Sequence, residues 1–181
     1  MELDTRDPKL DISGNRAAFY EREFFTFSNF SSFAVEWPTP ASAFQEWWPT
    51  TLFQTSEHAF QAARFMQTAP DLAEEVIAAR SAHAAWQIKN DSRHRQHAEW
   101  NIETDGTTLA EKVMLDICRH KLWQHPYIQK QLRRTGNYQI VEDSPVDPFW
   151  GWGPNRDGRN ALGKIWMQLR EELRDGTIYP Q

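Results

Sequence analysis

From Thr107 to Gln124 the apolar residues Leu109, Val113, Met114, Ile117, Cys118 and Leu122 return at steps of three and four. That spacing predicts an α-helix with one apolar side. Such a helix draws most of its stability from covering that side, so the rest of the chain must supply apolar surface to match. It does so largely with more helix. Ser56 offers an N-cap, and Ala59, Phe60, Ala63 and Met66 form an apolar stripe up to about Gln67. Pro70 suits the first turn of a helix ending near Arg80, and residues 81–100 read as helical in part. Pro126 opens a helix through Arg134 that Gly136 terminates. Asn160 is placed to cap a last helix, with Leu162, Ile165, Trp166, Leu169 and Leu173 on its buried side.

The remaining segments are short. Ala17 to Phe33 carries Phe19, Tyr20, Phe24, Phe25, Phe27 and Phe30 and reads as short strands and turns. Residues 36–50 read as a loop, Asn101–Gly106 as a turn, and Thr51–Thr55 and Tyr138–Glu142 as strands. Ser144–Asn160 is a loop punctuated by Pro145, Pro148, Pro154, Gly151, Gly153 and Gly158. The fold class is therefore α+β and helix-rich. With 181 residues and no repeat or linker, the expectation is one compact domain over 17–181 after a flexible polar arm, 1–16.

Composition excludes several functions. The net charge of −5 comes with no basic tract, which argues against broad affinity for nucleic acid. Capture of one flipped nucleotide needs a pocket rather than a basic surface and stays open. The single cysteine, Cys118, sits in the apolar pattern of a helix and reads as core. Met1–Arg16 lacks an apolar signal segment and no run of about 18 apolar residues occurs, so a cytoplasmic protein without membrane attachment is expected. The six His and one Cys show no zinc spacing, and His94 and His97 read as a solvated face, so no metal is expected. Gly151-x-Gly153 with Gly158 is not a dinucleotide fingerprint, and no P-loop or Gly-x-Ser-x-Gly occurs.

Three segments can carry chemistry. They are Ser28-Asn29-Phe30, then Ser56 through Phe65, then Glu142 through Gly153 continued by Gly158 to Gly163. Glu57, Gln61 and Arg64 are spaced by four and three and share one helix face. Glu57 serves either as a first-turn carboxylate on the helix dipole or as a general acid or base, with Gln61 and Arg64 beside it to hold an anionic or hydroxylated ligand. His58 points elsewhere and reads as structural. In the third segment Gly lets backbone approach a ligand closely, Trp offers a flat face to a base, and Asp147 can orient a sugar hydroxyl or activate water. A packed loop with Trp150 and Trp152 as anchors explains the same residues.

Phe27-Ser28-Asn29-Phe30, Ser56 to Ala63, Trp100, Lys121 to Pro126, Thr135-Gly136, Asp147 to Gly151 and Asn160 to Lys164, in that order, resemble the NADAR or YbiA-like family of N-glycosidases. The resemblance runs from about Phe19 to Leu173. It implies cleavage of a C1–N bond of a phosphorylated ribose, without a cofactor. The substrate is either ADP-ribose on guanine in DNA or RNA, or a phosphoribosylamino-pyrimidine early in riboflavin biosynthesis. We lean to removal of ADP-ribose from guanine, because the aromatic content suits a dinucleotide-sized ligand. A non-catalytic ADP-ribose or NAD binding module is the rival. The resemblance implies Glu57 as acid/base and Asp147 on the ribose hydroxyls or the attacking water. It implies Trp100 and Trp150 stacked on the ligand, with Asn29, Gln61, Arg64, Gly151 and Asn160 as further binding residues. Members usually carry Lys where Arg64 stands, and Arg and Asp where His97 and Glu99 stand. An arginine cannot form a Schiff base with a ring-opened ribose.

The 9 Trp divide accordingly. Trp166 belongs to the core, and Trp123 and Trp86 read as structural. Trp37, Trp47 and Trp48 lie in a loop without an assigned role. Trp100 and Trp150 are expected at the ligand, and Trp152 stays open.

Overall fold

The computed structural model describes residues 16–18, 24–38 and 50–178. The polar arm, apart from Arg16, lies outside the described residues, as do Phe19, Tyr20, Trp47 and Trp48. In chain order the elements are β1 Arg16–Ala18, a 3₁₀ turn Phe25–Phe27, β2 Val35–Trp37, β3 Thr51–Phe53, α1 Ser56–Ala63, α2 Pro70–Ile77, α3 Ala82–Asp91 and a 3₁₀ turn Arg93–Arg95. They continue with β4 Glu103–Thr104, β5 Thr107–Thr108, α4 Leu109–Gln124, α5 Pro126–Arg134, β6 Gln139–Val141 and α6 Ala161–Asp175. Helices dominate and strands are two or three residues long, so the fold class is α+β and helix-rich. The chain divides into two compact units: the contiguous Ser32–Lys121, and a second built from the described residues before and after it.

In the contiguous unit, β2 and β3 pair antiparallel with Val35 opposite Phe53 and Trp37 opposite Thr51. Helix α1 packs on α2, α3 and this hairpin. The N-cap of α1 is Thr55, one residue before the expected Ser56, because the Thr55 hydroxyl accepts from the His58 N–H at 3.3 Å. All eight residues of α1 are buried. Helix α4 begins at Leu109 rather than Thr107. Thr108 Oγ1 accepts from the Glu111 N–H at 3.1 Å while Glu111 Oε2 accepts from the Thr108 N–H at 2.9 Å, a reciprocal capping box. Val113, Met114, Ile117 and Cys118 of the expected stripe are buried.

Trp37 corrects the reading of 36–50 as a loop throughout. It ends β2, is completely buried, and its indole N–H donates to Asp116 Oδ2 of α4 at 2.8 Å. Trp37→Phe keeps most of the apolar area but removes a hydrogen bond to a charged acceptor. It is expected to cost about 2 kcal/mol in urea denaturation. A change below about 0.5 kcal/mol would show that the bond adds nothing. Trp86 and Trp123, expected as structural, are 39% and 46% exposed.

In the split unit, β1 and β6 pair in parallel, Arg16 opposite Gln139 and Ala18 opposite Val141. Helix α6 packs on β6 and α5. Trp166 of α6 is fully buried, stands 5.0 Å from the Phe27 ring and donates from its indole N–H to the Phe27 carbonyl at 2.8 Å. Arg170, 6% exposed, donates to Thr135 Oγ1 at 2.9 Å and to the Tyr138 carbonyl at 2.8 Å, fastening α6 to the end of α5.

Candidate active-site residues

The face shared by Glu57, Gln61 and Arg64 is a buried hydrogen-bonded chain. Gln61 Nε2 donates to Glu57 Oε1 at 2.7 Å, and Arg64 Nε donates to Gln61 Oε1 at 3.1 Å. Arg64 Nη1 donates to Gln96 Oε1, and no described residue accepts from Nη2. The guanidinium lies 5.0 Å from the Trp100 ring and 5.6 Å from the Phe60 ring, which stand 5.3 Å from each other. Burial lowers Arg64 to about 10, with Glu57 opposing the shift and Arg93 adding to it. Arg64 therefore remains a cation at neutral pH, on aromatic faces and coupled to a carboxylate through one glutamine.

Trp100 lies in the contiguous unit. It is fully buried, and its ring lies against Phe60 and Arg64. Its indole N–H is enclosed with no hydrogen-bond partner. In this structure it supports Arg64. His58 is structural, as expected. Its Nδ1 lies 2.8 Å from Thr55 Oγ1 and its Nε2 3.1 Å from the Ala79 carbonyl, and burial lowers its pKa. Cys118 is buried and its thiol is pushed up to about 12 by burial, so it is no nucleophile. His94 is exposed. No group of His, Cys, Asp or Glu among the described residues is arranged to hold a metal.

The split unit holds the rest. Asn29 is 7% exposed. Asp147 Oδ1 accepts from the N–H groups of Phe149 and Trp150, both at 2.9 Å, which folds the start of the loop around its carboxyl. Trp150 is half-buried, edge-on to Phe149 at 5.1 Å. The loop then caps α6 with its own backbone. Carbonyls of Phe149, Trp150 and Gly151 accept from the N–H groups of Ala161, Leu162 and Asn160. Asn160 therefore does not cap with its side chain. It adopts φ +53°, and its side chain bridges β6 to the loop: Nδ2 donates to the Ile140 carbonyl at 2.9 Å and Oδ1 accepts from the Glu142 N–H at 3.0 Å. Gly151 is required by close approach, since a Cβ there would lie 2.6 Å from the Glu142 carbonyl oxygen.

One acidic residue of the third segment has no individual role in the sequence reading. Glu142, 6% exposed, is pushed up to about 8, first by burial and then by Asp147 and Asp143. Within the sequence it is one acid of a Glu-Asp pair beside a loop, a pattern that ordinarily marks surface.

A helix-rich α+β fold with these two residue sets defines a member of the NADAR domain family, whose model matches residues 18–174; the chain belongs to that family. N-glycosidase YbiA of Escherichia coli K12 is 31% identical over 147 residues, covering 81% of this chain and 82% of that protein. The NMR structure of E. coli YbiA superposes with a TM-score of 0.73 at 25% identity, covering 97% of this chain and 94% of that one. Two longer relatives are named for riboflavin biosynthesis. PYRR of Zea mays is 31% identical over 98% of this chain, which spans 28% of that protein. VVA0006 of Vibrio vulnificus is 31% identical over 96% of this chain, which spans 42% of that protein. Among the described residues no helix is long and apolar enough to cross a membrane.

Proposed function

We propose that the chain is an N-glycosidase that hydrolyses the C1–N bond between a phosphorylated ribose and a base. The observation that carries this reading is the buried Glu57–Gln61–Arg64 chain on the Phe60 and Trp100 rings. Breaking such a bond builds positive charge on the sugar, which a carboxylate stabilises, and Arg64 supplies a fixed cation for a phosphate. Gln61 ties the two together. Trp100 acts by holding Arg64 in place rather than by stacking on the base. In the other unit Asp147 orders the turn that presents Trp150.

A guanidinium at this position supports an acid–base route over a lysine adduct. Arg64→Lys discriminates the two: on the acid–base route it weakens phosphate binding and raises KM. A gain in kcat would replace this reading by the lysine route.

For the substrate, the aromatic argument for a dinucleotide-sized ligand loses weight, since Trp37, Trp100 and Trp166 are fully buried. The names of the maize and Vibrio relatives favour a phosphoribosylamino-pyrimidine. The second reading, ADP-ribose on guanine in DNA or RNA, keeps the support of Arg93 near Arg64, a second cation suited to a second phosphate. Incubating the protein with each substrate and chromatographing the products separates them. Release of the pyrimidine is expected. Release from ADP-ribosylated guanine alone would reverse the substrate assignment. No release from either, with ADP-ribose binding by calorimetry, would replace the enzyme with a binding module.

Glu57→Gln keeps the shape and the contact with Gln61 but removes the charge. It is expected to lower kcat about 100-fold with KM nearly unchanged. Undiminished turnover would remove Glu57 from the chemistry.

A further inference from the structure

Within the contiguous unit, residues 93–97 form a strap against the C-terminal end of α1. The Arg95 guanidinium makes a two-pronged contact with Asp71 of α2, at 2.9 and 3.0 Å. The Arg95 carbonyl accepts from the Thr68 hydroxyl, and the His97 N–H donates to the Arg64 carbonyl at 3.0 Å. Gln96 joins the strap to the site. Its N–H closes the 3₁₀ turn on the Arg93 carbonyl at 3.3 Å, and its side-chain oxygen accepts from Arg64 Nη1. The strap therefore fixes the Arg64 guanidinium and carries Arg93 one turn away from it. Gln61 and Gln96 engage Nε and Nη1, which leaves the hydrogens of Nη2 unused in a side chain only 7% exposed. Arg95 is occupied by Asp71. Arg93 is exposed, and no described residue pairs with its guanidinium. It stands close enough to Arg64 to weaken that group's hold on its proton. Two guanidinium groups thus face one carboxylate, Glu57, which meets Arg64 through Gln61. Like charges held together repel, and an anion with several oxygens relieves the repulsion while using the spare donors.

We propose that Arg93 is the second phosphate-binding cation of the Arg64 site, so that the pair takes a phosphate or diphosphate group carrying two negative charges. The choice of this anion rests on the N-glycosidase reading above. Arg64 donates through Nη2 from the buried side, and Arg93 closes on the anion from the solvent side. Two ligands carry the required chemistry. One is the terminal phosphate of ribose 5-phosphate, held by both arginines at once. The other is the diphosphate of ADP-ribose, with one arginine on each phosphate.

Calorimetric titration of the wild type, Arg93→Gln and Arg80→Gln with ribose 5-phosphate and with ADP-ribose, at fixed ionic strength, tests this. Arg80 is an exposed cation next to Ala79, whose carbonyl meets His58 in the first turn of α1, whereas Arg64 follows the last turn. Arg80→Gln therefore makes the same change in net charge at the other end of the helix. Arg93→Gln is expected to bind at least one ligand about tenfold more weakly and to raise KM more than it lowers kcat. Arg80→Gln is expected to stay within about twofold of the wild type. A loss confined to ribose 5-phosphate places both cations on a terminal phosphate, and a loss confined to ADP-ribose places one on each phosphate of the diphosphate. A loss with both ligands places the pair on the phosphate that they share. Unchanged binding in Arg93→Gln, an equal loss in Arg80→Gln, or a wild type that binds neither ligand overturns the assignment. The free Arg93→Gln protein is expected to melt no lower than the wild type, because a repulsion is gone. A fall of more than about 5 °C would make Arg93 a structural residue and overturns it too. Arg93-dependent binding without release of base from either substrate ends the N-glycosidase reading and leaves the phosphate site standing. Release of base with an unchanged KM in Arg93→Gln ends this inference alone.

Discussion

Gly163→Ala is expected to destabilise the protein by about 3 kcal/mol, seen as a drop of roughly 10 °C in melting temperature. Gly163 lies in the first turn of α6. A Cβ there would meet the Ile140 carbonyl oxygen at 2.3 Å and both side-chain polar atoms of Asn160 at 2.5 Å. None of these can yield cheaply. The Ile140 carbonyl is backbone of β6, and Asn160 is fixed by its bonds to Ile140 and Glu142. The methyl group must push α6 off β6 or eject the Asn160 amide, leaving buried backbone groups unbonded. Thermal denaturation measures it, and a change below about 1 kcal/mol would mean that the helix start relaxes freely.

Wild-type stability is expected to fall as the pH rises from 5 to 9, with a flatter curve for Glu142→Gln. In the unfolded chain Glu142 titrates at its ordinary 4.5, and in the fold at about 8. The folded state therefore holds the proton longer. The advantage is complete below 4.5 and is lost as the pH climbs through about 8. The difference amounts to on the order of 5 kcal/mol across that window. Glutamine keeps the shape of the protonated acid and has no proton to lose. Urea denaturation at pH 5, 7 and 9 should show the variant gaining on the wild type at each step. Parallel curves would mean that Glu142 is ionised in the fold at neutral pH.

The sequence showed what local chemistry decides. Helices α5 and α6 run from a proline or from just past Asn160 to a glycine, and α4 follows its apolar spacing. Those signals lie within a few residues of what they control. The polar face of α1 was visible as a spacing, but not that the whole helix would be buried, because the hairpin and two helices covering it come from elsewhere in the chain. The family resemblance implied a ligand role for Trp100, whereas its burial against Phe60 and Arg64 is a tertiary fact. Glu142 stood only as the first residue of a segment, because its enclosure depends on Gly151, Trp152 and Asn160, which no window around it reveals. Thr108-x-x-Glu111 is the contrary case, a capping box that was legible and overlooked.

The pairing of β1 with β6 sets a timetable for making the molecule. Every residue of Ser32–Lys121 has been synthesised before β6 leaves the ribosome, so the contiguous unit can mature while its neighbour is still missing half its parts. The strand at Arg16–Ala18 must wait for a partner that arrives only after that whole stretch. Closing so long a loop costs chain entropy that two three-residue strands cannot offset alone, which makes α6 and its contacts with β6 the event that locks the second unit. A chain stalled before α6 would thus present a complete first unit beside an unclosed second one. The loop that holds Asp147 and Glu142 would be among the last parts to reach its final geometry.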